Sequence, residues 1–203
     1  MADLKLEEIK RLYKKLVVPF HLIIRDTTTP LPKHRPDNDA EHSWSLALLA
    51  VALAPEIDSS LDVGKVSMYA VIHDLVEIYS GDTSVWSSAN FKATKPQREL
   101  DALKKLKQDF PSFPSLSRNI ENYEKRENNE AKFVYALDKL LNLLNVTEDN
   151  GYYYQKNKIT KQKFVETMEE PAKKTRSHVL IAKYYDKLRK EFDANPEHFY
   201  REL

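Results

Sequence analysis

The sequence predicts an all-α fold, and three observations support this prediction. Apolar residues recur at steps of three and four along most segments, which is typical of amphipathic helices. No segment alternates between apolar and polar residues with a period of two, as a half-buried strand would. The 203 residues include only three glycines, which disfavours a hairpin-rich β protein and glycine-rich phosphate loops. No repeat or long linker divides the chain, so we predict one domain of about seven or eight helices.

The predicted helices are separated by short connections. An amphipathic helix over residues 4–20 precedes a loop over 25–38 that holds three prolines and three consecutive threonines. Asp39 is predicted to cap the next helix, over about 40–54. The remaining predicted elements are a helix over about 62–80, a polar loop over 83–95, a helix from Pro96 to about 109, a short polar helix over about 116–126, a helix over 129–146, a loop over 148–158, a short helix over 160–168 and a last helix over about 172–192.

The third predicted helix carries ionisable residues within an apolar stretch. His73, Asp74 and Glu77 stand among Val, Ile, Leu and Tyr, and such groups are costly to bury unless they are paired or bound to a metal. His73 and Glu77 are four residues apart, so a helix would place them on one face. Gly81 is suited to end this helix, which leaves Asp82 just beyond its C-terminal end. Four polar groups are therefore expected to converge on one helix end.

Two histidines and two aspartates fall on core-facing positions of the predicted helices: His42, His73, Asp74 and Asp138. Imidazole and carboxylate groups suit a divalent first-row metal, and four ligands would leave positions for water or a substrate oxygen. Taken singly, a histidine on an apolar helix face is more often a hydrogen-bonded core residue. One metal would compensate all four buried groups together, whereas the alternative needs four separate partners.

The composition argues against several classes of partner. Lys plus Arg is 32 and Asp plus Glu is 31, and this balance gives no argument for a nucleic-acid or membrane-surface partner. The absence of cysteine excludes disulfides, thiolate metal sites and cysteine nucleophiles. No stretch approaches the roughly 18 apolar residues of a membrane span, and the first residues lack the apolar region of a signal peptide. We therefore expect a cytoplasmic protein with no nucleic-acid or membrane partner.

Three blocks of sequence contain these residues. They are Ala40-Glu41-His42-Ser43-Trp44, His73-Asp74-Leu75-Val76-Glu77 with Gly81-Asp82, and Glu130-Ala131-Lys132-Phe133-Val134-Tyr135-Ala136-Leu137-Asp138-Lys139-Leu140. In this order they resemble the HD-domain metal-dependent phosphohydrolase superfamily, and most of all its 5′-deoxynucleotidase branch. The resemblance implies a helical bundle in which residues 1–203 form a single HD domain. Its motif-bearing core would be about 35–146, with C-terminal helices over 160–192 packing on that core.

The resemblance also implies a set of metal ligands and a catalytic carboxylate. The ligands of one divalent ion would be His42, His73, Asp74 and Asp138, and such donors suit Mn, Co, Fe, Ni or Zn. Glu77 would be the catalytic carboxylate, able to take or relay a proton, and Asp82 would contact the substrate sugar or orient water. Relatives with two metals resemble this pattern but add histidines between the positions of Asp74 and Asp138. This chain has none there, so we expect a mononuclear site and phosphomonoester hydrolysis.

Phosphoryl transfer also needs cations around the transferring group. The candidates in the flanking loops are Arg25, Lys92 and Lys95, for which solvated loop charges are the simpler alternative. Arg35 competes with Arg25 as the arginine that precedes the first histidine block. Trp86, in a polar loop, is the better candidate for stacking on a base, because Trp44 is expected to pack in the core beside its helix.

The leading hypothesis is hydrolysis of deoxynucleoside 5′-monophosphates, with a small-molecule nucleotide as substrate. One alternative is a nucleoside triphosphate phosphohydrolase, for which the loops could supply Lys92, Lys95 and Arg98. Another is a non-catalytic metal-binding sensor, although a structural metal site needs neither Glu77 nor Asp82. A homodimer could form through aromatic residues within 152–154 and the C-terminal helix, if these are exposed.

Overall fold

The computed structural model describes residues 4–201 and confirms the all-α prediction, since this range contains no β-strand and eight helices of seven or more residues. The α-helices are α1 (Leu6–Leu12), α2 (Val18–Phe20), α3 (Asp39–Ile57), α4 (Val63–Ile72), α5 (Glu77–Ser80), α6 (Ala89–Asp109), α7 (Pro114–Lys125), α8 (Asn129–Glu148), α9 (Tyr152–Lys156), α10 (Lys161–Thr175) and α11 (Val179–Asp193). A π-helical segment, Tyr13–Val17, joins α1 to α2, and 3₁₀ turns cover Pro32–His34 and Pro196–His198. Among the described helices, none combines the length and the apolar character that a membrane crossing requires.

Helix α8 lies at the centre of the bundle. It packs against α3, α4, α7, α10 and α11. Its buried residues occur on nearly every side of the helix, which is typical of a helix surrounded by others. They are Ala131, Phe133, Val134, Ala136, Leu137, Asp138, Leu140, Leu141, Leu143 and Val146. The one charged residue in this set, Asp138, is therefore held inside the protein, where it needs a partner.

Helix α3 begins with a reciprocal cap that differs from the predicted one. Asn38 is the N-cap: its side chain accepts a hydrogen bond from the N–H of Glu41 (3.0 Å), and the Glu41 carboxylate accepts one from the N–H of Asn38 (3.3 Å). The prediction of Asp39 as the cap is wrong, because its side chain is buried in the first turn. Ile24 pairs with Asn38 in an isolated antiparallel bridge, which brings Arg25 beside the start of α3.

The prediction of one helix over 62–80 is also wrong, because a turn separates α4 from α5. The backbone N–H groups of Leu75 and Glu77 bond to carbonyls three residues back within this turn. Leu75, Val76 and Glu77 are all buried in this turn. The turn thus allows His73 and Glu77 to enter the interior from different helical segments.

Helix α6 begins earlier than the sequence predicted. The hydroxyl of Ser88 caps it by accepting a hydrogen bond from the N–H three residues later (3.3 Å). Much of the predicted loop over 83–95 is therefore helical, and Pro96 lies inside the helix, not in its first turn. Lys92 and Lys95 are consequently held on a helix, which limits where their ammonium groups can reach.

The C-terminal region contains the predicted helices with different bounds. Helix α10 continues through Pro171 and both α10 and α11 pack against α8. The predicted loop over 148–158 contains the short helix α9, in which Tyr153 and Tyr154 are buried with 6% and 2% exposure. The expectation that the aromatics of 152–154 are exposed is wrong for these two residues. The homodimer remains a prediction, without these two rings to support it.

Candidate functional site

Three helices bring three of the predicted metal ligands together. His42 comes from α3, His73 follows the last residue of α4, and Asp138 comes from the middle of α8; all three are buried. His42 Nε2 lies 3.0 Å from Asp138 Oδ1, and the two imidazole ring centroids are 5.3 Å apart. One ligand atom from each of the three lies within 4.8 Å of the others. Asp74 adjoins this group, since its Oδ2 lies 2.8 Å from His73 Nε2.

The orientation of His73 fits metal ligation. His73 Nδ1 donates a hydrogen bond to the carbonyl of Ala70 (2.9 Å), because a carbonyl oxygen can only accept. His73 Nε2 therefore faces the cluster, where it is buried without a hydrogen-bond partner although Asp74 is close. A ring nitrogen fixed in this way by its other nitrogen is typical of a metal-binding histidine. The residues present thus fit a divalent metal.

The protonation states also favour a cation at this point. Burial is the main cause that lowers the pKa of His42 to about 4, so its imidazole is neutral, as a ligand must be. Burial acts to raise the pKa of Asp138, but the ammonium group of Lys139 and the His42 imidazole hold it well below its usual range. Burial acts to lower the pKa of His73, yet the Asp74 carboxylate raises it above the ordinary value. The carboxylates therefore attract positive charge to this position.

Arg25 lies beside the cluster and contacts two of its carboxylates. Its Nη1 lies 3.2 Å from Asp39 Oδ1 and 2.9 Å from Asp74 Oδ2, and its Nη2 lies 3.4 Å from Asn142 Oδ1. Burial and the Asp74 carboxylate raise the pKa of Asp39 to about 7. Asp39, Asp74 and Glu77 form a second group of carboxylates whose oxygens lie within 4.8 Å of one another. Arg25 thus neutralises charge between the two groups.

Glu77 points into the same region and is nearly fully buried. Its Oε1 lies 3.6 Å from Lys95 Nζ, and its Oε2 has no hydrogen-bond partner. Burial is the main cause that raises the pKa of Glu77 well above its ordinary value, and the Asp74 carboxylate acts in the same direction. Gly81 ends α5 as predicted, with the left-handed φ of 71° that favours glycine, and Asp82 beyond it lines the adjoining cavity.

A cavity of about 180 Å³ adjoins the cluster and is lined in part by Asp74, Glu77 and Asp138. Its cationic lining residues are Arg25, Lys92, Lys95, Lys139 and Lys174. Its aromatic lining residues are Trp86, Tyr153, Tyr154 and Tyr185. The rings of Trp86 and Tyr154 meet edge to face, with centroids 5.7 Å apart. Cationic groups suit phosphate oxygens, and an aromatic wall suits a planar base.

The structure places the predicted substrate-binding residues in this cavity, which is lined by Arg25, Trp86, Lys92 and Lys95. Lys92 Nζ also donates a hydrogen bond to the carbonyl of Val85 (3.1 Å). The competing Arg35 forms a double ion pair with Glu41 at 2.8 Å and does not line the cavity. The prediction that Trp44 packs in the core is wrong, because its side chain is 68% exposed.

Four residues of the site were not singled out from the sequence as functional: Asp39, Lys139, Asn142 and Lys174. Lys139 follows Asp138 directly, and this adjacency was a usable signal. Asp39 resembles a helix cap in the sequence, because the cap signal of an aspartate before an apolar run is local. Lys174 is one of many lysines in the C-terminal third, and nothing in the sequence separates it from its neighbours.

Comparisons with known proteins agree with this arrangement. The family model of the HD domain matches residues 21–180. The 5′-deoxynucleotidase HDDC2 of Homo sapiens is 29% identical over 116 residues, which cover 56% of this chain and 55% of that protein. The protein of the same name from Mus musculus is 28% identical over 116 residues, 56% of each chain. The chain thus spans about half the length of the curated relatives it matches.

A solved structure extends the likeness to the whole fold. A crystal structure described as a predicted metal-dependent phosphohydrolase from Magnetospirillum magnetotacticum MS-1 matches with a TM-score of 0.77 and 27% sequence identity. The match covers 99% of this chain and 100% of that one. Since the family model matches most of the sequence and the three motif blocks converge in the interior, the chain belongs to the HD-domain family, close to its 5′-deoxynucleotidase branch.

Proposed function

We propose that the protein is a metal-dependent phosphohydrolase that converts deoxynucleoside 5′-monophosphates to deoxynucleosides and phosphate. The observation that carries the proposal is the set of buried polar atoms that lack partners beside the cavity. They include Glu77 Oε2, on a residue that lines the cavity, and His73 Nε2 and Asp39 Oδ2, whose residues contact the lining residues Asp74 and Arg25. A purely structural cluster would satisfy such atoms, because each unsatisfied buried group costs about 1–3 kcal/mol. A metal and a substrate would account for several of them.

The proposed ligands of a single divalent ion are His42, His73, Asp74 and Asp138. When bound, the ion would polarise a phosphoryl oxygen and lower the pKa of a water molecule. The donor set has nitrogen and oxygen atoms only, so it suits Mn, Co, Fe, Ni or Zn. The two imidazoles and the two carboxylates supply the whole set without any residue from the C-terminal helices.

Glu77 is the proposed acid–base residue. Its raised pKa and its free Oε2 allow it to accept a proton from the attacking water and to give one to the leaving oxygen. The ammonium group of Lys95, 3.6 Å from Oε1, holds the carboxylate in place and offsets its charge when the proton leaves. Asp82, two residues after the end of α5, lines the cavity and is proposed to bind the sugar hydroxyl or orient water.

The remaining cavity residues suit a nucleoside monophosphate. Lys92, Lys95 and Lys139 provide cations for the phosphate, and Trp86 provides an aromatic surface for the base. Arg98 was a candidate for a longer phosphate chain, but it donates hydrogen bonds to the carbonyl of Ser80 and to Thr83 Oγ1 and does not line the cavity. A triphosphate would therefore have fewer cationic partners than the alternative hypothesis assumed. The name of the relatives that match half of the chain points to the same substrate class.

The test is phosphate release from deoxy- and ribonucleoside mono-, di- and triphosphates, each with Mn²⁺, Co²⁺ or a chelator. Release from the deoxynucleoside monophosphates alone, abolished by the chelator, is the expected result. Release of pyrophosphate or tripolyphosphate from triphosphates, with monophosphates inert, would contradict the proposal and favour the triphosphohydrolase. Metal binding without turnover of any phosphate ester would favour the sensor.

A further inference from the structure

Three lysines from three different helices meet at the cavity. Lys95 belongs to α6, Lys139 to α8 and Lys174 to α10, and all three line the same space. Lys174 is the unexpected member, because α10 lies outside the motif-bearing part of the sequence. Its side chain is only partly exposed, at 35%, although a lysine at a helix surface is usually solvated. The fold thus directs one cation of the C-terminal region toward the proposed active site.

The lysines are close enough to affect one another. Burial and the ammonium groups of Lys139 and Lys95 lower the pKa of Lys174 despite its ion pair with Glu170 at 2.7 Å. Lys139 is paired with Asp138, a proposed metal ligand, and Lys95 with Glu77, the proposed acid–base residue. Lys95 also pairs with Glu99 at 3.2 Å, so each of the three lysines has a carboxylate partner. A metal held by Asp138 and a proton held by Glu77 would each weaken one of these pairs. The cluster is therefore suited to an anion that all three lysines can share.

We infer that Lys174 completes an anion subsite with Lys95 and Lys139, and that this subsite binds the phosphate group of the substrate. For the identity of the anion, the inference rests on the proposed function. Helix α10 would then contribute a substrate-binding side chain to the cavity in addition to packing against α8. Pro171 and Met168, about one and two turns of α10 before Lys174, line the same cavity.

The first test is a direct binding measurement that does not need turnover. Inorganic phosphate is titrated calorimetrically into the metal-free protein and into the Mn²⁺-loaded protein. Lys174→Gln is expected to weaken phosphate binding about tenfold in both forms, the effect of losing one charge-assisted hydrogen bond. Lys174→Met, which keeps the apolar stem, should weaken it similarly, and Lys174→Arg should restore most of the affinity.

The matched control is Lys173→Gln, which removes the same charge from the neighbouring, exposed position of α10. It should leave phosphate affinity within about twofold of the wild-type value, since an exposed charge is screened by solvent and salt. If Lys173→Gln and Lys174→Gln weakened binding equally, the effect would be a general loss of charge, and the subsite would be refuted. Circular dichroism on each variant checks that it is folded.

Steady-state kinetics then separate this inference from the proposed function. For a deoxynucleoside monophosphate, Lys174→Gln should raise KM about tenfold and lower kcat much less. If Lys174→Gln kept the kcat, the KM and the phosphate affinity of the wild-type protein, the subsite would be overturned and the proposed function would stand. Phosphate binding that depends on Lys174 in a protein without phosphatase activity would support the subsite and overturn the proposed function.

Discussion

Two of the contacts between a histidine and an aspartate, His42–Asp138 and His34–Asp149, differ in how completely their polar atoms are satisfied. His42 and Asp138 meet at the centre of the bundle, where neighbouring buried polar atoms have no partners. His34 and Asp149 meet near the end of α8, where one carboxylate oxygen contacts His34 Nδ1 and the other accepts a hydrogen bond from Thr28. The same two residue types therefore occur once among buried polar atoms without partners and once in a pair whose carboxylate oxygens both have partners. We call His34 and Asp149 the closed pair.

The closed pair has the features of a structural contact. The His34 ring stacks on Tyr152, with centroids 4.0 Å apart, and the pair ties the loop before α3 to the start of α9. Asp149 is buried, and both of its oxygens have partners. A histidine next to an aspartate is thus not by itself a sign of function. The unpartnered atoms and the adjoining cavity distinguish the central cluster.

The largest effect is expected from removing the histidine of the central pair. His42→Ala should abolish metal binding and reduce kcat/KM by about 10⁴-fold or more, because the ion and its chemistry are lost together. In thermal unfolding, Mn²⁺ should raise the Tm of the wild-type protein and leave that of the variant unchanged. A variant that is stabilised by Mn²⁺ as much as the wild type would remove His42 from the ligand set.

Glu77→Gln should separate chemistry from metal binding within the same cluster. The amide keeps the size of the side chain but cannot exchange a proton, so kcat should fall about 10²- to 10⁴-fold while the metal is retained. Single-turnover phosphate release and metal content are measured on the same preparation. Unchanged kcat would eliminate Glu77 as the acid–base residue and reopen the sensor hypothesis.

His34→Ala should have a smaller effect of a different kind. The loss of its contact with Asp149 and of its stacking on Tyr152 should lower the free energy of unfolding by about 1–2 kcal/mol. Metal affinity should change less than about threefold, as measured by calorimetric titration with Mn²⁺. Loss of the metal in this variant would contradict the conclusion that His34 and Asp149 form a structural contact and take no part in metal binding.

The smallest effect is expected from replacing Trp44, an exposed residue two positions after His42 in the sequence. Trp44→Ser should change the free energy of unfolding by less than about 0.5 kcal/mol, because little of the side chain is buried. Urea unfolding and the metal titration together test this expectation. A loss of several kcal/mol would mean that the indole is covered in the native protein.

The sequence was sufficient to predict the fold class and the convergence of the motif residues. His42, His73 and Asp138 lie on apolar helix faces, and helices of that kind turn such faces toward one core. Their order in the three blocks then identified the superfamily, which the matched family model confirms. These predictions depend on local periodicity and on motifs, and both can be recognised in the sequence without knowledge of tertiary contacts.

Features that depend on tertiary packing could not be predicted in the same way. The turn between α4 and α5 contains no proline or glycine that would mark it in the sequence, and the residues from Leu75 to Glu77 are buried there. Asp39 resembles a helix cap locally, but its carboxylate is buried and pairs with Arg25, 14 residues earlier in the chain, at 3.2 Å. Lys174 reaches the cavity on a helix that continues through Pro171, whereas the sequence predicts separate helices over 160–168 and about 172–192.

The most direct test of the account is the metal content of three proteins after dialysis against Mn²⁺ and removal of free ion. Elemental analysis should find about one ion per chain in the wild-type protein and in His34→Ala, and none in His42→Ala. This result would show that the unsatisfied His–Asp cluster holds the metal and that the closed pair does not. Equal metal in all three proteins, or loss confined to His34→Ala, would contradict the assignment of the metal centre.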